Sequence, residues 1–579
     1  MREVGRKGAS IGAFLALTGF VACGGGILAG EARFEFVDVA AEAGIDVVHR
    51  SGDPRRWYIP ESNGCGAAWL DADGDGDLDL FVGNGSGVRY VDDGARLEVL
   101  HDATSRLYRN DGGLSFTDIT EASGAGISSW INAVSVADVE GDGDPDLYLA
   151  CFGPDVLLRN DGGVFTDVTE QAGLGCELWG AGASFADTDG DGDLDLYVAN
   201  YVIFDPEHPP DGGRRQDFDG VEVGYGPEEE NGRGFNPGAA DVFYRGDGRG
   251  QFTEATAEAG LALEKDLCSY AAVFSDVDGD GDVDLLVAND LQPTNLFVNR
   301  GDGTFAEEGV ERGFAFGAEG AATAAMGLFV ADVDGDGDQD VLRTNFDMEP
   351  NSLHLNDGRG FFRDRASEYG LAAPSFDKLG WGGGFFDADC DGDLDLLVAN
   401  GHVMPNAEEI GLHAWAQPTQ LFEAVSEADG SLCYRDATAN AGGGLEPLRS
   451  ARGVALGDPD DDGDIDVLIV DLDRAPRLLE NRSPRRGRWL AVGLAGRGPN
   501  TAALGATVRV RAGERAWTRE MRTIDGLYSS HDPRLHFGLG AGDGPVTVEV
   551  RWPDGMTQVI EDVACDELLL VEQPEKPTR

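Results

Sequence analysis

Seven short loops of alternating aspartates are the residues of this sequence best suited to chemistry. The first loop reads DADGDGDLD from Asp71 to Asp79, and near-copies begin at Asp138, Asp187, Asp276, Asp332, Asp387 and Asp458. Ca2+ prefers about six to eight oxygen ligands, and alternating carboxylates on a tightly turning loop can direct several oxygens to one point. The pattern therefore predicts up to seven calcium ions with a structural role.

The spacing also assigns a role to each position of a loop. Positions 1, 3, 5 and 9 supply side-chain ligands, position 7 supplies its backbone carbonyl, and the glycine at position 6 permits the sharp turn. The predicted ligands, in chain order within each loop, are Asp71, Asp73, Asp75, Asp77 and Asp79; Asp138, Glu140, Asp142, Asp144 and Asp146; Asp187, Asp189, Asp191, Asp193 and Asp195; Asp276, Asp278, Asp280, Asp282 and Asp284; Asp332, Asp334, Asp336, Asp338 and Asp340; Asp387, Asp389, Asp391, Asp393 and Asp395; Asp458, Asp460, Asp462, Asp464 and Asp466. The second loop departs from the pattern through Glu140 and Pro145, and the seventh through Pro459 and Asp461.

An EF-hand is the first alternative, because its loop opens with the same D-x-D-x-D-G frame. It would need an acidic residue at the twelfth position. The twelfth positions here are Val82, Leu149, Val198, Val287, Arg343, Val398 and Ile469, which excludes EF-hands. Each loop is followed instead by a short apolar run such as LDLFVG or LDLLVAN, which predicts a buried β-strand. A solvated acidic turn could explain one copy, but seven copies in one frame argue against it.

The charge of the whole chain limits the partners that it can bind. Its 579 residues carry 106 acidic and 44 basic side chains, for a net charge of −62. Seven calcium ions would neutralise only a minor part of that charge, so direct binding to nucleic acid or to an anionic membrane surface is disfavoured. A hydrophobic content of 41% argues against disorder.

The first residues predict export. Basic residues precede an apolar stretch from Ile11 to Val21, which is too short to span a bilayer and indicates a signal peptide over residues 1–22. The string FVACG resembles a bacterial lipobox, in which Cys23 would be acylated and residues 23–33 would form a short tether. Alternatively, cleavage near Gly30 would release a soluble protein. Either the cell envelope or a secreted or periplasmic location follows.

A longer repeated unit surrounds each acidic loop. Strings such as LYRNDGGLSFTDITEASG (Leu107 to Gly124) predict β-hairpins with Asn/Asp/Gly turns, and with the strands beside each loop they give about four short strands per unit. Phe34 to Gly44 matches the second half of a unit and Leu478 to Asn481 matches the first half. We therefore predict an all-β fold, a seven-bladed β-propeller over residues 34–484 with one calcium loop per blade, closed by the N-terminal strand.

These units resemble the FG-GAP or VCBS repeats of integrin-type propellers. Farther along the chain, LHFGLG (Leu535 to Gly540) and RWPDG (Arg551 to Gly555) resemble the ASPIC/UnbV domain. The whole arrangement is similar to the cartilage acidic protein 1 family and its bacterial relatives. Alternating apolar stretches in the tail predict a small β-sandwich over residues 485–574. The resemblance implies a fold and says little about activity.

Three insertions indicate where a ligand would bind. Residues 83–105, 201–241 and 400–415 interrupt the repeats, and such insertions form loops on one propeller face. Their candidate polar side chains are His208, Tyr225, His402 and His413. We therefore favour an exported calcium-binding protein that acts as an adhesion, recognition or scaffolding module for protein or glycan ligands.

An enzyme is the alternative. The sequence contains no G-x-S-x-G, no H-E-x-x-H and no phosphate-binding glycine loop, and we assign no catalytic residue. The resemblance to other propellers nevertheless keeps open a carbohydrate-active lyase or dehydratase, with Tyr225, His208 or His402 as its base. The resemblance to UnbV similarly keeps open an accessory enzyme of natural-product biosynthesis.

Overall fold

The computed structural model describes residues 33–92, 96–209, 216–218, 221–223, 237–427 and 431–576. The signal peptide, Cys23 and Tyr225 of the sequence analysis lie outside these ranges. Among the described residues, no helix is both long enough and apolar enough to cross a lipid bilayer.

Short β-strands are the main regular secondary structure of the described chain. In the repeat region they are β1 (Phe36–Asp38), β2 (Ala67–Leu70), β3 (Asp79–Val82), β4 (Val88–Val91), β5 (Arg96–Val99), β6 (Arg106–Asn110), β7 (Phe116–Asp118), β8 (Ile131–Ala137), β9 (Asp146–Cys151), β10 (Val156–Asn160), β11 (Phe165–Asp167), β12 (Gly180–Ala186), β13 (Asp195–Asn200), β14 (Gln216–Phe218), β15 (Val221–Val223), β16 (Val242–Gly246), β17 (Phe252–Glu254), β18 (Ser269–Ser275), β19 (Asp284–Asn289), β20 (Asn295–Asn299), β21 (Phe305–Glu307), β22 (Leu328–Ala331), β23 (Asp340–Arg343), β24 (Ser352–Asn356), β25 (Phe362–Asp364), β26 (Gly380–Phe386), β27 (Asp395–Asn400), β28 (Gln420–Ser426), β29 (Leu432–Asp436), β30 (Ala451–Gly457), β31 (Asp466–Asp471) and β32 (Arg477–Asn481). In the tail they are β33 (Arg488–Ala495), β34 (Thr507–Ala512), β35 (Arg515–Glu520), β36 (Leu535–Gly540), β37 (Val546–Arg551), β38 (Thr557–Val563) and β39 (Leu568–Glu572). The helical segments are single turns: α1 (Ala40–Ala43), α2 (Thr120–Ser123), α3 (Ala372–Ser375) and the 3-10 turns Ile59–Ser62, Ala407–Ile410 and Thr438–Asn440.

The repeat region folds into four-stranded antiparallel sheets with one internal order. Within the described residues there are seven: β2-β3-β6-β7, β8-β9-β10-β11, β12-β13-β16-β17, β18-β19-β20-β21, β22-β23-β24-β25, β26-β27-β28-β29 and β30-β31-β32-β1. The first strand of each sheet contacts the first strand of the next, and β30 contacts β2. The predicted all-β fold with propeller-type sheets is confirmed.

Both ends of the repeat region contribute to the last sheet. Strand β1 pairs antiparallel with β32, with Phe36 opposite Asn481. Apolar side chains then fill the space between neighbouring sheets. Phe81 and Leu107 of one sheet, for example, pack with Val134 and Leu149 of the next.

Asparagines at the ends of the third strands connect neighbouring sheets. The Asn160 side-chain amide donates to the Ala72 carbonyl at 2.9 Å, and Asn110 donates to the Pro459 carbonyl at 2.7 Å, which links the first sheet to the last. Equivalent bonds join Asn299 to Thr188, Asn356 to Val277 and Asn481 to Ala388. The third and sixth sheets have Gly246 and Ala424 at this position. The bonds therefore hold the ring together at the end where the acidic loops lie.

The tail forms two small sheets, as the predicted β-sandwich requires. One has the order β36-β33-β39, with β33 and β39 parallel, and the other has the order β35-β34-β37-β38. The tail is therefore also all-β.

The connection between β35 and β36 lies against the inner strands of the ring. We call residues 521–532 of this connection the channel segment. Its backbone bonds reach four different sheets: Ser530 N to Ala67 O (3.1 Å), Val134 N to Tyr528 O (2.8 Å), Gly526 N to Leu328 O (2.7 Å) and Asp532 N to Leu456 O (2.9 Å). Because these partners belong to β2, β8, β22 and the end of β30, the channel segment runs along the centre of the ring. This placement was not predicted from the sequence.

We expect Asn110→Ala to lower the free energy of unfolding by about 1 to 3 kcal/mol, because it leaves the buried carbonyls of Leu78 and Pro459 without their donor. Urea unfolding followed by tryptophan fluorescence measures the change. Asn440→Ala, at an exposed asparagine, is the matched control and should leave stability within about 0.5 kcal/mol of the parent. Equal stabilities for the two variants would show that the bond does not hold the ring.

Candidate metal centres

In the first three loops, the first aspartate holds the backbone in a tight turn. In the first loop, the Gly74 amide donates to Asp71 Oδ1 at 2.9 Å and the Gly76 amide donates to Asp71 Oδ2 at 3.0 Å. The same two bonds surround Asp138 and Asp187. Gly76 has φ of 97°, in the left-handed region that favours glycine, at the position where the sequence predicts a sharp turn.

A second left-handed residue stands at position 4, which the sequence analysis did not single out. Gly74 occupies it in the first loop with φ of 76°. Cys390 (φ 58°) and Asp461 (φ 56°) occupy it in the sixth and seventh loops. These two loops therefore place non-glycine residues in a conformation that costs about 1 kcal/mol or more each.

The ninth aspartate of each loop is buried between two strands and the loop itself. Asp79 Oδ1 accepts from the Asn110 amide of the third strand at 2.8 Å, and Oδ2 accepts from the Ala72 amide at 3.0 Å. In the seventh loop, Pro459 stands where Ala72 does and has no N–H to donate. Asp466 Oδ2 accordingly has no hydrogen-bond donor among the described residues.

Carboxylate oxygens converge in the loops as a divalent cation would require. Oxygens from positions 1, 3 and 9 lie within 4.8 Å of one another in at least three loops: Asp71, Asp73 and Asp79; Asp138, Glu140 and Asp146; Asp276, Asp278 and Asp284. In the third loop the converging set is Asp187, Asp189 and Asp191. Oxygen clusters of this kind could hold a metal ion. The structure does not single out position 7, whose carbonyl stays a predicted ligand.

Several buried oxygens in the loops fit a cation. Besides Asp466 Oδ2, Oδ1 of Asp276, Asp278 and Asp332 have no hydrogen-bond partner in the described part of the chain. A buried carboxylate oxygen without a donor is unfavourable, and a bound cation would satisfy it. The residues present therefore suit Ca2+, which prefers oxygen ligands.

Burial shifts the protonation of the ninth aspartates. Desolvation raises the pKa of Asp79 to about 7 and the pKa values of Asp284 and Asp340 to about 8. Repulsion from the carboxylates at positions 1 and 3 contributes to the rise in Asp284. Without a cation, these groups are partly protonated at neutral pH, so metal binding must release protons.

The tail domain lies at the same end of the sheets as the acidic loops, which we call the metal-loop end. Its contacts reach five loops: Thr501 Oγ1 to Asp138 Oδ2 (2.7 Å), Arg551 Nη1 to Asp276 Oδ2 (3.4 Å), Arg522 Nη1 to Gln339 Oε1 (3.1 Å), Trp517 Nε1 to Gly392 O (2.7 Å) and His536 Nε2 to Gly463 O (3.0 Å). The tail domain thus covers much of this end of the ring.

The insertions lie at the opposite end of the sheets, because they connect second to third strands; we call this end the insertion face. Two of its predicted polar residues come together on Asp347. His413 Nδ1 lies 2.5 Å from Asp347 Oδ1, and His402 Nε2 lies 3.8 Å from Oδ2. Burial lowers the pKa of His402 to about 4. His208 does not join them; it is exposed and lies 2.9 Å from Asp205.

The insertion face also holds a buried carboxylate that was not predicted from the sequence. Glu61 is fully buried and accepts hydrogen bonds from the Tyr58 amide (3.0 Å) and the Tyr90 hydroxyl (2.8 Å). Burial raises its pKa to about 7. Tyr90 stacks on Trp57 with ring centroids 4.2 Å apart, and the Arg55 guanidinium lies 4.5 Å from the Tyr90 ring. The string RRWY around Trp57 was the available signal.

Comparison with protein families identifies both parts of the chain. The FG-GAP-like repeat matches residues 71–149, 141–198, 276–343 and 332–398, and the family described as ASPIC and UnbV matches residues 496–578. The chain carries FG-GAP-like repeats and an ASPIC and UnbV domain. The repeat matches contain the first six acidic loops, and the ASPIC and UnbV match contains the channel segment. The resemblance drawn from the motifs is confirmed.

Curated relatives share part of this arrangement. Cartilage acidic protein 1 of Homo sapiens is 28% identical over 301 residues, which cover 49% of this chain and 40% of the relative. The Mus musculus protein is 27% identical, covering 49% and 42%. The chain thus spans about two fifths of the length of these relatives.

One solved structure that the chain partly resembles is an Agrocybe aegerita lectin that recognises non-reducing terminal N-acetylglucosamine. The TM-score is 0.35 at 16% identity, and the match covers 71% of this chain and 86% of the lectin. Another is BBS1N in complex with ARL6DN, with a TM-score of 0.40, 7% identity and coverage of 79% and 99%.

We expect the metal-free protein to lose stability as pH rises from about 4 to about 8. The ninth aspartates have a higher pKa in the folded chain than in the unfolded chain, so their favourable contribution is complete below the unfolded pKa and disappears as pH passes the folded pKa. Thermal melts in chelator across this range measure the slope. Asp340→Asn should reduce it, while Glu319→Gln, at an exposed carboxylate, should not. A slope that Asp340→Asn leaves unchanged would contradict this origin.

Proposed function

We propose that this protein is an exported, calcium-stabilised module for adhesion, recognition or scaffolding, which binds a protein or glycan ligand through its insertion face. The main support for this proposal is that the tail domain covers the metal-loop end. The ASPIC and UnbV domain contacts five acidic loops, and its channel segment lies along the centre of the ring. Among the described residues, these contacts of the domain lie at the metal-loop end and in the centre of the ring, which favours the insertion face as the surface for a ligand.

A structural role for calcium is supported by the energetics of the loops. At an effective dielectric constant of about 20, two carboxylates about 4 Å apart repel each other by about 4 kcal/mol. Calcium at about ten times its Kd would contribute about 1.4 kcal/mol per site, or on the order of 10 kcal/mol for seven independent sites. That amount is comparable with the whole stability of a typical domain. The cation is therefore proposed as part of the fold.

We expect removal of calcium with EDTA to lower the melting temperature by more than about 10 °C near neutral pH, because the loop carboxylates then repel one another without compensation. Differential scanning calorimetry with and without chelator measures the shift. Addition of excess calcium should restore the original value. An unchanged melting curve would remove the structural role of calcium.

The insertion face offers side chains of the kind that dominate binding sites. Trp57 and Tyr90 are half-buried, and Arg55 lies beside them with its side chain 55% exposed. Aromatic and arginine side chains with restricted mobility are enriched among residues that contribute most to binding. The Tyr90 hydroxyl is fixed by its hydrogen bond to the buried carboxyl group of Glu61.

We expect a glycan and protein array, probed with and without calcium, to identify ligands that bind only when calcium is present. Tyr90→Ala should then weaken binding of such a ligand by at least about tenfold, since it removes a contact ring and the partner of Trp57. Val164→Ala, at an exposed apolar residue of the metal-loop end, is the control and should bind as the parent does. Ligand binding that Tyr90→Ala leaves intact would move the site elsewhere.

A catalytic function is the second candidate, and one observation favours it. The Nδ1 atom of the half-exposed His413 side chain is hydrogen-bonded to the buried carboxylate of Asp347. The other ring nitrogen, Nε2, is therefore the one that could contact a substrate. A carboxylate that orients a histidine is an arrangement found in general bases. A carbohydrate-active lyase or dehydratase, or an accessory enzyme of natural-product biosynthesis, would use His413 in this role.

A further inference from the structure

One residue of the third strand stands opposite the ninth aspartate in every sheet. The pairing of Leu196 with Tyr244 places Asp195 opposite Arg245, one residue further along the same register. In the other sheets the residues at this register position are Arg109, Arg159, Val298, Leu355, Glu423 and Glu480. The seven acidic loops therefore differ in the charge that their own sheet places next to them.

Arg245 reaches into the third loop. Its Nη1 atom lies 2.6 Å from Asp195 Oδ2 and 3.3 Å from Asp189 Oδ2. These carboxylates occupy positions 9 and 3, two of the predicted metal ligands. A single guanidinium nitrogen thus bridges positions 3 and 9 of the third loop. In the first, second and fourth loops, the carboxylates at these two positions lie close together.

The other two arginines at this register turn away from their ninth aspartates. Arg109 pairs with Asp111 at 2.7 Å, and Arg159 pairs with Asp161 at 2.7 Å. Arg159 also lies 3.5 Å from Glu140, a position 3 ligand. The inward position of Arg245 is therefore not a general consequence of an arginine at this register.

The residue at position 2 explains the difference. Thr188 stands there in the third loop, whereas the other loops have alanine, valine or proline. The Thr188 hydroxyl donates to Asp195 Oδ2 and accepts from Arg245 Nη1, each at 2.5 Å. The hydroxyl therefore fixes the guanidinium beside the carboxylate.

Other arginines approach acidic loops without bridging this pair of positions. Arg312 lies 3.3 Å from Asp278 of the fourth loop. Arg486 lies 2.9 Å from Asp389 and 3.3 Å from Asp391 of the sixth loop, at positions 3 and 5. Among the described residues, neither forms an ion pair with a ninth aspartate.

We propose that Arg245 is a built-in cation of the third loop and makes this loop the weakest calcium site of the chain. The inference rests on the proposed calcium function of the loops. Calcium entering the third loop must either displace the guanidinium from Asp189 and Asp195 or bind beside its positive charge, and each weakens binding. When calcium is scarce, Arg245 neutralises the same carboxylates and holds the loop against its sheet.

The test is a calcium titration of the full chain by isothermal calorimetry. We expect the parent to show a tight class of sites and one weaker step. Asp191→Asn, which removes a ligand that only the third loop uses, should abolish the weaker step. Arg245→Leu, which introduces the residue type found at this register in the fifth sheet, should tighten that step by at least about tenfold. Arg109→Leu is the matched control and should leave the step unchanged.

A second variant guards against a folding defect in Arg245→Leu. Thr188→Val keeps the size of the side chain but removes the hydroxyl that fixes the guanidinium, and it should tighten the weaker step severalfold. Seven equivalent tight sites in the parent, or a weaker step that neither variant shifts, would overturn the role of Arg245. A parent that binds no calcium would instead overturn the proposed function itself.

Discussion

The architecture depends on burying one carboxylate per sheet at the junction of the acidic loop with the second and third strands. Each of these ninth aspartates begins a second strand and accepts an amide from the third, as Asp79 does from Asn110. The loop is therefore built into the sheet rather than attached to its edge. Because the buried carboxylate is costly when charged and alone, the sheet needs either a proton or a cation at this point. The stability of the fold and the proposed metal sites are therefore energetically coupled.

The repeats and the ASPIC and UnbV domain together satisfy the backbone hydrogen bonds of the inner strands. A ring of sheets leaves inner strands whose amides and carbonyls face the centre, and unpaired buried backbone groups are unfavourable. The channel segment supplies partners for β8, β22 and the end of β30, while the same domain covers loops at the metal-loop end. The ASPIC and UnbV domain is therefore structurally continuous with the repeats. The asparagine bonds between sheets, such as Asn110 to Pro459, complete the ring at the same end.

Features encoded by local spacing were predictable from the sequence, and features made by distant residues were not. The D-x-D frame and the apolar run after it predicted the loops and second strands, and the repeated hairpin strings predicted the outer strands. The channel segment shows no strand-like alternation, because its partners belong to other sheets. Arg245 and Asp195 are fifty residues apart, and Asp347 is equally remote from His402 and His413. Only the sheet register and the folded insertions bring these pairs together. Position 4 of the loops could have been recognised from its recurrent glycine.

The order in which these elements occur along the chain constrains how the protein is made. Strand β1 pairs with β32, more than four hundred residues later, and the channel segment follows later still. Contacts this distant in sequence close slowly, because the entropy of a long loop must be lost before they form. The chain is synthesised N-terminus first, so its early sheets must persist with open inner edges until synthesis is nearly finished. If the chain is exported as proposed, chaperones of the export route, and calcium met on arrival, would act within that interval.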